Sequence, residues 1–318
     1  MTTYIRNMDP VKDFAPLARL FTVEMEDPTT EEALREDYQQ HQDRILCLRI
    51  ATSEYGEIKG FNWLTQDRLD DKRAYFYVVV SREHRQQGIG SLLYNEVERI
   101  SRTLAIHELR ANFPDTLPQS HDFAEHRGFS LISHSIGMQL ELGQLDFQPY
   151  VHLREDLRKQ GFEFTSMDAL GNSDEDQQKL YLLNDVTSSQ TMGSEGEHSW
   201  SSFKDFQQSV CQSDWYKPAG QMIVIEKNTG KWVAMSAITR FEGQDYAYNL
   251  FTGVDEVYRG RKLAQAVKAQ ALLYARDILE VKVVKTHHNA LNAPMIAIDR
   301  KFGYIQSPGY FSMRKYLV

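Results

Sequence analysis

Two short segments of the chain have the composition of a loop that holds an anion with its backbone. The first, Arg85 to Gly90 (RQQGIG), follows the apolar stretch Tyr75 to Val80 and leads into a helical pattern. A strand that runs directly into a helix leaves the first amides of the helix without acceptors, and their N–H groups together with the helix dipole favour a phosphate. Glycine lacks a Cβ, so the backbone can approach the anion closely and adopt turns that other residues avoid. The segment therefore predicts a phosphate-binding turn.

The second segment belongs to an internal repeat. Four residues of the first segment and the strand before it recur 174 positions later: Val80, Arg85, Ile89 and Gly90 correspond to Val254, Arg259, Leu263 and Ala264. The same offset relates the apolar face of the following helix in both places, and Gly128-Phe129 answers Gly303-Tyr304 at an offset of 175. A repeat of this length predicts two copies of one domain, residues 1–146 and 147–318.

Apolar periodicity predicts the elements of each copy. The first copy is predicted to contain strands at 2–8, 45–50, 58–64, 74–80 and 106–112, a helix from Pro10 capped by Asp9, a long helix over 88–104, a short helix at 122–126 and a final strand at 129–142. The second copy repeats this order, with strands at 162–166, 221–226, 232–241 and 246–254 and a long helix over 263–279. Helical spacing from Phe147 to Leu157 predicts a packed connector.

These features resemble the GNAT acyltransferase family. The resemblance rests on Arg-x-x-Gly-x-Gly after a strand, followed 43 residues later by Gly-Phe, and on Thr252-Gly253-Val254 before the loop from Arg259 to Ala264. It implies an α/β fold (α+β in some schemes) of two domains, each with a mixed, mostly antiparallel sheet flanked by helices and a splayed strand pair at a cofactor cleft. It also implies acetyl-CoA as co-substrate and a primary amine of a small molecule or peptide as acceptor.

The resemblance further implies which residues contact the cofactor. The loops would wrap the pyrophosphate, and one splayed strand would offer backbone groups to the pantetheine arm as an added peptide strand does. The positions implied are Val78, Val80, Arg85, Gln86, Gln87, Gly88, Ile89 and Gly90 in the first copy, and Thr252, Val254, Arg259, Gly260, Arg261, Lys262, Leu263, Ala264 and Asn292 in the second.

The catalytic acid and base are not evident from the sequence. An alkyl ammonium with a pKa near ~10.4 must lose a proton before it attacks a thioester. The family often has a tyrosine, as the acid, where this chain has Ala124 and Asp299. Asp299 and Asp245, the carboxylate nearest the second copy's splayed strand, remain as candidates. A thiol with a pKa of about 8.5 can leave unaided, so the missing tyrosine does not exclude catalysis.

Two questions stay open at this stage. Lys262 stands where the first copy has Gly88, and it either clashes with a tight turn or faces a phosphate as a point charge. The first copy has the better loop, whereas only the second has an Asn-rich segment before its Gly-aromatic pair. The sequence does not decide which copy binds the cofactor, and the alternative function is a CoA-binding protein without transferase turnover.

Composition excludes several classes of protein. Thirty-six Lys and Arg against 44 Asp and Glu give a net charge of −8, which argues against binding to nucleic acid or anionic membranes. The first residues form no apolar signal core, and no apolar run reaches the roughly 18 residues that span a bilayer. Cys47 and Cys211 form neither a disulfide framework nor a zinc cluster. We therefore expect a cytoplasmic protein without a metal, either a monomer or a homodimer.

Three further patterns suggest chemistry but favour plainer interpretations. Adjacent residues of a strand point to opposite faces, so His287 and His288 favour structural roles over metal binding. The acidic stretch from Glu24 to Glu32 favours a solvated helix start over attraction of an amine. Dinucleotide binding is disfavoured because Gly-x-Gly-x-x-Gly is incomplete and no acidic residue closes the next strand.

Overall fold

The computed structural model describes residues 2–25, 29–191 and 200–317, and the chain divides into two compact units. Unit 1 comprises residues 1–134 with 310–318, and unit 2 comprises residues 135–309. This division differs from the predicted boundary near Asp146, because residues 135–146 belong to unit 2 and residues 310–318 belong to unit 1. Within the described ranges, no helix combines the length and apolarity needed to cross a membrane.

Among the described residues, unit 1 has a sheet of six strands in the order β1-β2-β3-β4-β5-β12, in which β4 and β5 are parallel and the other pairs antiparallel. The strands are β1 (Tyr4–Asn7), β2 (Ile45–Thr52), β3 (Ile58–Gln66), β4 (Arg73–Val80), β5 (Glu108–Pro114) and the part of β12 (Ile305–Tyr316) that begins at Tyr310. The helices are α1 (Phe14–Glu24), α2 (Glu31–Gln40), α3 (Ile89–Thr103) and α4 (Pro118–Glu125).

Helices cover both faces of the unit 1 sheet, as an α/β layer architecture requires. On one face α1 packs Phe14, Leu17 and Phe21 against Phe61 and other apolar residues of β2 to β4. On the other face α3 packs against β4 and β5. The helices therefore bury the apolar sides of the strands that the alternating pattern predicts.

The first helix begins later than the sequence predicts. The prediction of a helix from Pro10 capped by Asp9 is wrong, since α1 begins at Phe14 and its N-cap is Asp13. The Asp13 carboxylate accepts the Asp9 N–H at 2.7 Å and binds Arg6 in two hydrogen bonds. This arrangement holds residues 10–12 in a turn instead of a helix.

Among the described residues, unit 2 has the same arrangement, with six strands in the order β6-β11-β10-β9-β8-β7. They are β6 (Ser130–Glu141, of which unit 2 holds the part from Ser135), β7 (Phe162–Ser166), β8 (Gln221–Glu226), β9 (Lys231–Thr239), β10 (Ala247–Val254) and β11 (Val283–Asn289). Its helices are α5 (Gln148–Lys159), α6 (Met167–Leu170), α7 (Asp174–Ser189), α8 (Phe203–Phe206), α9 (Leu263–Asp277) and α10 (Ala293–Phe302). Helix α5 confirms the predicted connector.

The final strands of the two copies are exchanged. The strand predicted over 129–142 exists as β6, but the expectation that it completes the first copy is wrong, because its residues 135–141 pair with β11. Residues 310–316 of β12 pair with β5 instead. In unit 2 the two strands meet at two glycines: a Cβ on Gly137 would lie 1.9 Å from the Pro308 carbonyl oxygen, and one on Gly309 equally close to that of Ser135. Larger residues therefore cannot occupy these positions without moving the backbone.

The exchange predicts that Met313, although it lies in the second copy of the sequence, stabilises unit 1. Its side chain is 1% exposed and packs in the unit 1 core. Met313→Ala should lower the free energy of unfolding by about 2–5 kcal/mol and reduce hydrogen-exchange protection of β5. The exposed neighbour Tyr316 is the control, since Tyr316→Ala should change stability by no more than about 0.5 kcal/mol. Loss of protection in β8 and β9 with β5 unchanged would contradict the exchange.

Candidate functional site

A cleft opens in unit 1 where two parallel strands separate. Strands β4 and β5 pair only from Arg73–Glu108 to Tyr75–Arg110, and beyond this point each continues without pairing to the other. The resulting cleft has a volume of about 510 Å³ and is lined by residues 76–80 of β4 and by Ala111 and Phe113 of β5. The predicted splayed strand pair therefore forms an open cleft in unit 1.

Aromatic side chains form the wall of this cleft on the side of α3 and α4. The ring of Phe129 lies 5.6 Å from that of Phe76 and 6.0 Å from that of Tyr94. The Arg127 guanidinium lies 3.4 Å from the Phe123 ring centroid, and its Nη2 donates to Ser91 Oγ at 2.7 Å. The cleft is thus apolar, with a cation stacked at its edge.

The loop from Arg85 to Gly90 also lines the cleft and carries unpaired backbone donors. In the described part of the chain, no residue accepts a hydrogen bond from the six consecutive amides 86–91. The amides 260–265 of the second loop are likewise without an acceptor among the described residues. Ile89 and Leu263 are 1% exposed and anchor the starts of α3 and α9 in the cores. Each loop therefore presents a fixed set of N–H groups, as the sequence predicts.

The two loops use the same backbone turn with different residues. Each has two left-handed positions: Gln86 (φ 59°) and Gly88 (φ 81°) in unit 1, and Gly260 (φ 81°) and Lys262 (φ 64°) in unit 2. A Cβ on Gly88 would have no neighbour within 4 Å. The proposed clash of a lysine at this position therefore does not occur: Lys262 is exposed and adopts the glycine conformation at a cost of about 1–2 kcal/mol.

An arginine at the start of each loop fixes the loop to the end of the preceding strand. Arg85 Nε donates to the Val80 carbonyl at 3.2 Å, and Arg259 Nε donates to that of Val254 at 3.1 Å. In unit 1 the guanidinium also binds the Glu24 carboxylate at 2.5 Å, and Glu24 Oε1 accepts the Arg82 N–H. In unit 2 Gln190 takes the place of Glu24, accepting from Arg259 at 3.0 Å.

Glu24 therefore differs from the solvated acidic residue that the sequence favours. Its side chain is 5% exposed, and it joins the C-terminus of α1 to the loop. Glu31 and Glu32 do lie in the first turn of α2, as a solvated helix start requires. Glu26 and Asp27 lie outside the described residues.

Unit 2 places a charged triad where unit 1 has apolar residues. Lys268 Nζ contacts Asp299 Oδ1, and His288 Nε2 lies 2.7 Å from Asp299 Oδ2. The side chains of Lys268 and Asp299 are 0% exposed and that of His288 is 11% exposed. Burial alone raises the pKa of Asp299, but the Lys268 charge and the His288 hydrogen bond outweigh it and leave that pKa below its ordinary value. In the internal repeat, Lys268, His288 and Asp299 correspond to Tyr94, Phe113 and Ala124 of unit 1. All three of these unit 1 residues line its cleft.

Three other predicted site residues, Asp245, Asn292 and Arg261, lie on loops or at a helix start in unit 2. Asp245 lies on the exposed loop before β10 and shares no contact with buried Asp299 among the described residues. Asn292 Oδ1 accepts the Met295 N–H and caps α10. The Arg261 guanidinium lies 5.3 Å from the Tyr258 ring centroid.

The two adjacent histidines point to opposite faces, as predicted. His287 contacts the Tyr248 hydroxyl, whereas His288 binds Asp299. Neither the His288–Asp299 contact nor the Glu24–Arg85 pair was predicted from the sequence. Both join residues on elements whose packing the local pattern does not specify. A strand at 283–289 that returns through a helix at 293–302 was the available signal for the first contact.

One group of side chains in unit 1 has the composition of a metal site. His121, Asp122 and Glu125 of α4 bring potential ligand atoms within 4.8 Å of one another. His121 Nδ1 lies 3.6 Å from Glu125 Oε2, and both acidic residues are exposed. Exposed groups of this kind are common on helix surfaces without an ion.

Comparison with known proteins agrees with this geometry. A model of the acetyltransferase (GNAT) family matches residues 14–129 and, separately, residues 183–304. Among curated proteins no match was found. A GCN5-related N-acetyltransferase from Sphaerobacter thermophilus is 17% identical, with a TM-score of 0.73 over 99% of this chain and 95% of that one. A tandem GNAT protein from the clavulanic acid biosynthesis pathway is also 17% identical, with a TM-score of 0.72 over 99% and 98% of the two chains.

A third structure shares the fold within a larger protein. The GCN5-related glucosamine N-acetyltransferase region of a fungal multi-domain GH3 β-N-acetylglucosaminidase is 13% identical, with a TM-score of 0.74 over 99% of this chain and 38% of that one. Both copies have a strand pair that separates, followed by a loop of unpaired backbone amides. These features place both copies in the class of acyltransferase domains. The chain belongs to the acetyltransferase (GNAT) family, and the two matched regions show that it carries the family's domain twice.

The buried Glu24–Arg85 pair predicts that the loop of unit 1 depends on a charge. Glu24→Gln, which reproduces Gln190 of unit 2, should lower the free energy of unfolding by about 1.5–3 kcal/mol, the range for hydrogen bonds to charged groups. It should also increase hydrogen exchange at the Arg82 amide, which donates to Glu24 Oε1. Glu31→Gln is the control, because its pair with Arg35 is exposed on both sides and should contribute no more than about 0.5 kcal/mol. Equal effects of both substitutions would contradict the assignment.

The buried triad predicts a large difference between a single and a double variant. Asp299→Ala leaves Lys268 without a counter-charge and should lower the free energy of unfolding by about 3–5 kcal/mol. The double variant Lys268→Tyr with Asp299→Ala has, at these two positions, the residues found at the equivalent positions of unit 1. It should recover most of the lost stability. Chemical denaturation measures both, and a double variant as unstable as the single one would show that the triad is not the cause.

The same variants predict a pH dependence. Because the folded pKa of Asp299 lies below its ordinary value of 3.8, its stabilisation is complete above that value and disappears as the pH falls through the lower folded pKa. The stability difference between wild type and the double variant should therefore shift in favour of the double variant as the pH is lowered from 7 to 3. A difference that does not change with pH would contradict an ionised Asp299.

Proposed function

We propose that unit 1 binds acetyl-CoA in its cleft and transfers the acetyl group to the primary amine of a small molecule or a peptide. The observation that carries this proposal is the row of six amides, 86–91, without acceptors among the described residues, at the mouth of a cleft formed by two separating strands. An anion at the start of α3 would satisfy these donors and interact favourably with the helix dipole. The pyrophosphate of the cofactor has the required charge.

The rest of the cleft suits the remainder of the cofactor. The pantetheine arm would lie along β4, where Val78 and Val80 line the cleft and the edge that faces β5 is unpaired beyond Tyr75. An extended amide-containing chain can pair with such an open strand edge. The aromatic wall of Phe76, Tyr94 and Phe129 would exclude water from the thioester. In this proposal Arg85 positions the loop through Glu24, and the phosphate contacts come from the amides.

The proposed reaction is attack of a neutral amine nitrogen on the thioester carbonyl carbon, followed by cleavage of the carbon–sulfur bond and loss of the nitrogen's proton to water. Tyr94 lines the cleft but does not supply the base, because burial raises the pKa of its hydroxyl far above the neutral range. Its hydroxyl is also occupied, accepting from Lys315 Nζ at 3.1 Å. Orientation of the two reactants in an apolar cleft is then the main contribution of this unit, with the thiol leaving as a thiolate.

A second candidate function is cofactor binding without turnover in unit 1. Ala124, which lines the cleft where the resemblance expects a tyrosine, favours it. The two candidates differ in one measurement: an acetyltransferase releases free thiol from acetyl-CoA when amines are added, whereas a binding protein gives only the heat of binding.

A tryptophan in the loop of unit 1 tests the proposal. Gly88→Trp places a side chain in open space beside the amides and should reduce CoA affinity of that cleft by at least about 100-fold, which calorimetry would record as one CoA fewer per chain. Gly56→Trp is the matched control, since Gly56 also has a left-handed backbone (φ 83°) and no neighbour within 4 Å. Unchanged stoichiometry in Gly88→Trp, with CoA bound, would place the cofactor elsewhere.

A further inference from the structure

We propose that His288 is the proton-transfer residue of a second acyl-transfer site in unit 2, held in position by Asp299 and Lys268. The inference rests on the proposed function, because it assigns the same cofactor to the second copy. It begins from the place of His288 in the sheet. Strands β10 and β11 pair only at Ala247–Val284 and Tyr248–Lys285, so His288 lies on the part of β11 beyond that pairing.

Repeat equivalence places this part of β11 at a cleft. Phe113, the equivalent of His288, lines the cleft of unit 1, and so does Ala124, the equivalent of Asp299. The loop after β10 repeats the left-handed turn and the unpaired amides of the loop after β4. Unit 2 therefore has the loop and the separated strands of a cofactor site, with an imidazole and a carboxylate at its inner end.

The contacts of the triad define the state of the imidazole. An ionised carboxylate only accepts hydrogen bonds, so His288 Nε2, 2.7 Å from Asp299 Oδ2, carries a proton. In the neutral ring Nδ1 is then an acceptor and serves as a base. The other carboxylate oxygen is held by Lys268 Nζ, which keeps Asp299 ionised and fixed. The arrangement determines both the tautomer and the orientation of His288.

Packing alone does not account for the triad. Burying an ion pair costs as much as its attraction returns, and apolar residues often replace such groups without loss of stability. Unit 1 shows such a replacement, with Tyr94, Phe113 and Ala124 at the three positions. The ring centroid of Tyr304 lies 4.7 Å from Lys268 Nζ. The Tyr304 hydroxyl is buried and has no hydrogen-bond partner among the described residues. A cluster of three ionisable side chains and a hydroxyl without a partner, all in one core, indicates a chemical role.

The proposed step balances without an added reagent. The neutral amine nitrogen attacks the thioester carbonyl carbon, and His288 Nδ1 takes the proton that the nitrogen loses as the new bond forms. The carbon–sulfur bond then breaks, and the imidazolium returns that proton to the CoA thiolate. The products are an amide and a free thiol, and His288 is neutral again. Asp299 stays ionised throughout and stabilises the transient imidazolium.

The test uses the full chain with unit 1 silenced by Gly88→Trp. Thiol release from acetyl-CoA is measured with a panel of primary amines that includes amino acids, amino sugars and short peptides. In this background His288→Gln, which retains a donor to Asp299, should lower kcat by at least about 100-fold with little change in KM. His287→Gln is the matched control, because the adjacent side chain points to the opposite face and should change kcat by less than about threefold.

A spectroscopic readout separates proton transfer from a structural role. With ¹⁵N-labelled histidine, the His288 Nε2 proton should give a hydrogen-bonded signal that is lost in the Lys268→Tyr, Asp299→Ala double variant. Addition of CoA to the Gly88→Trp protein should shift the His288 Nδ1 resonance.

Three outcomes would overturn the inference: no thiol release by Gly88→Trp while the wild type is active, an unchanged kcat in His288→Gln, or an Nδ1 resonance that does not respond to saturating CoA. The first leaves the proposed function of unit 1 intact and removes only the second site. Failure of the wild type to bind CoA would instead refute the proposed function itself.

Discussion

The architecture of each unit depends on a parallel strand pair that stops after a few residues. Hydrogen bonds between β4 and β5 end at Tyr75 and Arg110, and those between β10 and β11 end at Tyr248 and Lys285. Beyond these points the inner strand edges have backbone groups without a neighbouring strand, which a buried sheet does not tolerate. The gap requires an extended ligand or solvent, and the following loop provides amides for the ligand's charged end.

At this gap the two units share the same backbone conformation but differ in their side chains. Both loops have two left-handed residues and an arginine that returns to the last strand carbonyl. A turn of this kind needs glycine at only one of the two positions, because the strain at the other is small beside the stability of the whole unit. At the inner end of the gap the units diverge, with aromatic rings in unit 1 and a buried ionic triad in unit 2.

Local patterns in the sequence predicted the elements and the repeat, since periodicity reports which face of each element is buried. The loops followed from the same reasoning, because a strand, a turn with glycine and a helix occur in consecutive residues. Pairing partners did not follow: the pattern of residues 129–142 identifies a strand, but nothing in it specifies β11 instead of β5. The start of α1 was misplaced because Asp13 forms contacts that compete with the cap at Asp9.

The ion pairs of the two sites were not predicted for the same reason: local sequence patterns do not show which elements pack together. Glu24 pairs with Arg85 and Asp299 with Lys268 across 61 and 31 positions, and His288 reaches Asp299 from the preceding strand, so each contact depends on how separate elements pack. A charged residue on a predicted helix is ordinarily solvent-exposed, so its burial becomes visible only when the packing of that helix is known. The sequence thus indicated the cofactor loop well and the ionisable groups around it poorly.

The exchanged strand links the two halves during synthesis. The edge of β5 is complete only after residues 310–316 have been made, about 200 positions after β5 itself. Until then a nascent unit 1 presents an open β edge, the kind of surface that joins other chains into aggregates. A gene cut between the copies would deprive the first half of this strand permanently. The duplicated domains are consequently inseparable in biogenesis, although each encloses a core of its own.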